Sequence, residues 1–220
     1  MTERTDFNLD SLQAVQELTL GTNYVERWQS TPQLLPYNVS THAYNCAMLY
    51  MQLCHTCEKI VSVQLLSALL CHDNMESLTG DLLAPAKDSD PESWNNIEKQ
   101  AQEKWLKEHN IPATMSIAFL PIEDNFTFLT KEDQHLLKII DMLEFLIHAQ
   151  QEYKAGNRSN RVLDGLKYGG ASLSRRIKTV YKTFSESPEL YSYILDIVTC
   201  IRYYYNRQCR ALALSDEYYV

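Results

Sequence analysis

Leu65-Leu66-Ser67-Ala68-Leu69-Leu70-Cys71 runs directly into His72-Asp73-Asn74-Met75-Glu76-Ser77-Leu78-Thr79-Gly80-Asp81. An apolar run of this kind predicts a buried helix from about Val61 to Glu76, with His72 and Asp73 near its C-terminal end. Ionisable groups in such a place need a partner or a metal, because an unpaired buried charge costs too much free energy. A further histidine stands upstream at His42, and an aspartate downstream at Asp141. Two imidazoles and two carboxylates can hold one divalent first-row metal and still leave positions for water and a substrate oxygen. On a continuous helix neighbouring residues point roughly 100° apart, so His72 and Asp73 share an ion only if it sits over the helix end.

Outward from this stretch the pattern is helical. Leu9 to Leu18 can make a first helix, with Tyr24 to Trp28 continuing after Gly21, and Pro32 and Pro36 make Thr31 to Asn38 a loop. Ser40 or Thr41 can cap the next helix, in which Ala43, Cys46, Ala47, Leu49, Tyr50 and Leu53 recur at three and four residues. His42 then lies in its first turn. Gly80 and Pro85 leave Leu78 to Leu83 as a short turn or helical segment. An amphipathic helix is predicted over Pro91 to Glu108, with Trp94, Ile97, Ala101 and Trp105 or Leu106 inward. Ile111 to Asn125 reads as a loop that holds at most a short helix.

Thr130 is an N-cap with Asp133 three residues on, and the following stripe of Leu136, Leu137, Ile140, Leu143, Ile147 and Tyr153 carries Asp141 and Glu144. Gly156 to Asn160 ends that helix. A shorter one is predicted over Ser172 to Phe184 and a last one from near Pro188. No strand alternation persists and no internal repeat is evident, so the fold class is all-α.

The chain has 220 residues, 45% of them hydrophobic, which suffices for one core and predicts a single domain. Its 20 basic and 28 acidic residues give a formal charge of -8 with no concentrated basic tract. Sustained nucleic-acid binding is therefore disfavoured, whereas a small anionic substrate beside a cation is compatible with an acidic protein. A polar N-terminus and the lack of a long apolar run predict a cytoplasmic protein with no membrane partner. The six cysteines, including Cys54 and Cys57 at Cys-x-x-Cys spacing, read as reduced packing residues rather than a disulfide framework.

Taken in order, Arg27-Trp28, Asn38-Val39-Ser40-Thr41-His42, His72-Asp73 through Glu76, Leu78-Thr79-Gly80-Asp81, Pro85 with Lys87, and Asp141 resemble the HD-domain phosphohydrolases. The branch they resemble most is that of the bacterial 5'-deoxynucleotidases and related phage deoxynucleotide hydrolases. The resemblance implies an HD-domain helical bundle with a core of about residues 24–156 and a helical extension of about 157–220. It also implies a homodimer and a nucleotide pocket beside one divalent ion per subunit: cobalt, manganese, zinc or iron. By the same resemblance His42, His72, Asp73 and Asp141 are the metal ligands. The chain departs from it at Thr41, where relatives often have Glu, and in its aromatic-rich C-terminal part.

These expectations define roles in hydrolysis of a deoxynucleotide phosphate ester. Glu76, one helical turn beyond Asp73, is placed to move the proton of the attacking water. Asp81 is a second acid or an anchor for the sugar 3'-hydroxyl. Arg27 clamps a phosphate oxygen with its directed donors, Lys87 is a further phosphate contact, and Trp28 closes against the deoxyribose. The substrate is a deoxyribonucleoside monophosphate. Alternatives are release of triphosphate from a deoxynucleoside triphosphate, hydrolysis of a guanosine tetraphosphate-type alarmone, and a non-catalytic helical nucleotide-binding protein.

Overall fold

The computed structural model describes residues 9–81, 87, 89–111, 126, 128–186, 188, 191–215 and 218–220. Among these, the helices are α1 (Leu9–Gly21), a 3-10 turn (Thr22–Tyr24), α2 (Val39–Thr56), α3 (Val63–Cys71), α4 (Glu76–Thr79), α5 (Pro91–Glu108), α6 (Lys131–Lys154), α7 (Asn160–Phe184) and α8 (Ser192–Ala211). Beyond them the described residues hold an isolated antiparallel bridge between Glu26 and Asn38 and no strand. The all-α expectation holds. None of the described helices is long and apolar enough to cross a membrane.

Two compact units divide the chain. One comprises Met1–Gln29, Tyr37–Thr41 and Cys71–Phe126; the other comprises Ser30–Pro36, His42–Leu70 and Thr127–Val220.

In the first unit Ala14 and Leu18 of α1, Met75, Trp105 and Leu106 of α5, and Ile111 form a buried apolar cluster. Met75 is the residue of that cluster that matters for chemistry, because it anchors the turn between Asp73 and Glu76. Here the expected continuous helix to Glu76 is corrected. Regular helix ends at Cys71, and the chain goes on in tight turns: Asn74 N donates to Cys71 O at 3.0 Å, and Glu76 N to Asp73 O at 2.9 Å. His72 and Asp73 therefore do not follow the 3.6-residue period.

Gly80, at φ +78, terminates α4 in a backbone conformation that side chains disfavour. The expected continuation to Trp28 stops with the 3-10 turn at Tyr24: Arg27 N donates to Tyr37 O and Val39 N to Val25 O, at 2.9 and 3.0 Å, so Val25 to Arg27 is paired backbone rather than helix. The α2 cap is Asn38 rather than Ser40 or Thr41, its Oδ1 accepting Thr41 N–H at 2.8 Å. On α5, Ile97 is exposed and Glu98 buried, because the Trp94 Nε1–H donates to Glu98 Oε1 at 2.6 Å and satisfies the inward carboxylate.

In the second unit α6, α7 and α8 pack on one another. Thr130 caps α6 as expected, its side chain accepting Asp133 N–H. The predicted Ser172 start of α7 is corrected to Asn160, and Val162, Leu166, Leu173, Ile177, Val180 and Phe184 form its buried stripe. Gly169 sits inside this helix where a Cβ would approach Leu146 Cδ2 to 2.7 Å. It permits α6 and α7 to come close. The last helix starts at Ser192. Glu152 of α6 accepts the backbone N–H groups of Leu34 and Leu35 at 3.0 and 2.6 Å, holding the proline-containing loop. The Tyr50 hydroxyl pairs with that of Tyr193 and accepts Ser62 N–H at 2.9 Å. All six cysteines are free thiols. Pro85, most of Ile111 to Asn125, Leu190, Asp216 and Glu217 lie outside the described residues.

Candidate active site

The first unit gathers most of the predicted polar residues. The paired backbone around Glu26 and Asn38 presents Arg27, whose Nη1 contacts Asp73 Oδ2 and lies 3.4 Å from Glu76 Oε2. The guanidinium also stands 5.8 Å over the Tyr37 ring. Lys87 Nζ lies 3.4 Å from Glu76 Oε1 and 3.9 Å from Glu98 Oε1, so each oxygen of Glu76 faces a cation. Burial pushes the Glu76 carboxyl up to about 8; the negative charges of Asp73 and Asp81 add to this, and Arg27 and Lys87 oppose it. His72 is buried, with Nε2 at 3.4 Å from Asp73 Oδ2.

Trp28 takes a left-handed backbone conformation, φ +58, uncommon for a bulky residue and characteristic of functional segments. Asp81 holds it there: Oδ2 accepts the Trp28 N–H at 3.0 Å. The Gly80 turn is what brings Asp81 back to that position.

The second unit holds the other two expected ligands. His42 is fully buried on α2. Its Nε2 lies 3.1 Å from Asp141 Oδ1, and its Nδ1 lies 2.5 Å from Glu144 Oε2. Asn45 Nδ2 donates to Glu144 Oε1 at 3.0 Å. Asp141 and Glu144 are neighbours at i, i+3 on α6, as are His42 and Asn45 on α2, so one turn of each helix supplies the set. Cys46 Sγ is 3.6 Å from His42 Nε2, and burial pushes this thiol up to about 12, keeping it protonated.

These donors fit a divalent ion. Two bonds of about 2.1 Å at right angles place their donor atoms about 3.0 Å apart, and at wider angles farther. The imidazole–carboxylate separations of 3.1 Å in one unit and 3.4 Å in the other fall in that range. The carboxylate on the far nitrogen of His42 is the usual outer partner of a metal-binding imidazole.

Thus the structure groups Arg27, His72, Asp73, Glu76 and Lys87, pairs Trp28 with Asp81, and pairs His42 with Asp141. Sequence reading did not identify Glu144, Asn45 or Cys46 as site residues. The available signal was their spacing, one turn from Asp141 or from His42.

The sequence model of the family described as 5'-deoxynucleotidase YfbR-like matches residues 17–165. No curated protein shows a significant sequence match. Among solved structures, the chain is similar to an HD phosphohydrolase of cyanophage S-2L, DatZ, which was determined bound to dA and one catalytic Zn2+ ion. Identity is 14%, coverage 90% of this chain and 95% of that one, and the TM-score 0.60. It is also similar to an HD-domain phosphohydrolase from Listeria innocua at 17% identity, covering 92% and 96% of the two chains with a TM-score of 0.59. Both show the HD-domain helical fold.

Proposed function

The chain belongs to the YfbR-like 5'-deoxynucleotidase family, and we propose that it removes the 5'-phosphate from deoxyribonucleoside monophosphates with one divalent ion held by His42, His72, Asp73 and Asp141. The observation that carries this reading is the extent of the family match, residues 17–165. That span contains all four donors together with Arg27, Trp28, Glu76, Asp81 and Lys87. The ligand-like spacing of an imidazole and a carboxylate within each unit supports it.

When bound, a divalent cation supplies Lewis acidity at a phosphoryl oxygen and a nucleophile near neutral pH. Arg27 and Lys87 bring two positive charges to Asp73 and Glu76. An incoming phosphate competes for those cations and is oriented by the guanidinium fork. Glu76, with a carboxyl near 8, can both accept and return a proton at neutral pH. It takes the proton from the water that attacks phosphorus and gives one to the 5'-oxygen as the P–O bond breaks. Trp28 walls the deoxyribose, and Asp81 fixes the Trp28 backbone while keeping acceptor capacity for a 3'-hydroxyl. We further propose that it works as a homodimer in the cytoplasm, the first as the resemblance implies and the second as the polar N-terminus suggests.

The test is incubation of metal-stripped protein with deoxy- and ribonucleoside mono- and triphosphates plus manganese, cobalt or zinc. Zinc is included because the cyanophage protein holds it. Orthophosphate and deoxynucleoside from the monophosphates are expected; triphosphate release, or no turnover with any metal, contradicts the proposal.

A further inference from the structure

His42 meets carboxylates at both ring nitrogens, and the chemistry above uses the one at Nε2. We propose that Glu144, anchored by Asn45, is the positioning residue that fixes the His42 tautomer and so sets how tightly the chain holds its divalent ion. This rests on the metal reading of His42.

A neutral imidazole carries one N–H and one lone pair, and whichever nitrogen donates to a neighbour leaves the other free to coordinate. Glu144 Oε2 stands 2.5 Å from Nδ1, a separation at which two bare acceptors would repel, so the proton lies between them. Nε2 then directs its lone pair to the side on which Asp141 Oδ1 stands, 3.1 Å away. The carboxylate is not free to turn: Asn45 donates to its other oxygen at 3.0 Å. Both His42 and Glu144 are buried, so solvent does not weaken the contact. Burying a carboxylate is costly without partners, and here each of its oxygens has one. The ring is thereby held in one orientation from α2 by its own backbone and from α6 by Glu144. An anionic partner also makes the imidazole a more basic donor.

The competing reading is that Glu144 merely ties α2 to α6. The two differ in metal affinity. Metal-stripped full-length wild type, E144Q and E144A are titrated with Mn2+ and with Co2+ against a chromophoric chelator, and folding is checked by circular dichroism and thermal melting. E144A is expected to bind about 10- to 100-fold more weakly. E144Q, whose amide oxygen still accepts the Nδ1 proton, should fall between E144A and wild type. Two-bond 1H–15N spectra of the zinc-loaded protein should show His42 protonated at Nδ1 in wild type and E144Q.

If E144A does not fold, E144Q decides, and unchanged affinity in that variant overturns the proposal. A folded E144A that binds as tightly as wild type overturns it too, whatever its melting temperature. E144Q as weak as E144A would remove the tautomer argument. Wild type that binds no divalent ion defeats the metal reading itself; wild type that binds and turns over while the variants match it defeats this inference alone.

Discussion

Replacing Glu76 by Gln should abolish turnover and yet stabilise the metal-free protein, by an amount that grows with pH. Burial, and then the Asp73 charge, hold this carboxyl at about 8 rather than its ordinary 4.5. The folded state therefore keeps a proton that the unfolded chain releases above about 4.5. Because the folded state binds more protons in that window, stability falls as pH rises from about 4.5 to about 8 and levels off beyond.

At about 1.4 kcal/mol per pH unit the penalty reaches roughly 5 kcal/mol as an upper bound. Gln carries no charge and escapes it, while relaxation and water entry around the ionised Glu76 reduce the penalty in wild type, so a net gain of about 2 kcal/mol at pH 8.5 is expected. In a chain of this size that corresponds to about 4–8 °C in Tm. The assay is thermal and urea unfolding of chelator-treated wild type and E76Q from pH 5 to 9. The variant should nearly match wild type at pH 5 and exceed it at pH 8.5. A difference that stays constant across pH, or one that favours wild type more at high pH, refutes the reasoning.

Three other substitutions have defined outcomes. D81A removes the acceptor that holds Trp28 at φ +58 and should lower kcat/KM for deoxynucleoside monophosphates about tenfold or more, with D81N milder; steady-state kinetics read this. E152A removes the acceptor of the Leu34 and Leu35 N–H groups and should cost about 3 kcal/mol at pH 7 in urea unfolding. Burial raises the Glu152 carboxyl, but the hydrogen bonds from Leu34, Asn157 and Leu35 outweigh it and the net direction is down; the part of the E152A deficit that comes from the carboxylate charge should accordingly shrink as pH falls below the ordinary 4.5 and be lost below the depressed value, leaving the smaller cost of the missing side chain. G169A drives a methyl against Leu146 and should lower stability by about 1 kcal/mol despite the better helix propensity of alanine, read as a lower Tm.

What could be read from sequence was local. The Thr130 cap and the extent of α5 follow from side chains within three residues of the helix ends, and both appear as expected. The start of α7 does not: Gly165, Gly169 and Gly170 argue against helix until Leu146, distant in sequence, explains why Gly169 must lack a Cβ. In the same way Ile97 looked like the inward residue of α5, since apolarity is the sequence signal and the bond from Trp94 that lets Glu98 replace it is not.

At the site, His42, His72, Asp73, Glu76 and Asp141 were legible as chemistry-bearing types in a family order. Glu144 was not, because its role exists only through a contact with His42, 102 positions away. The left-handed Trp28 was equally hidden, being imposed by the turn at Gly80 and the Asp81 carboxylate.

The central claim of the proposal is that His42, His72, Asp73 and Asp141 serve one ion. Calorimetric titration of metal-stripped wild type, H42A and D73A with Mn2+ tests it most directly. The prediction is one ion per chain in wild type and the loss of that ion in either variant. Two ions per chain, each lost in a single variant only, or binding unaffected by both substitutions, would contradict it.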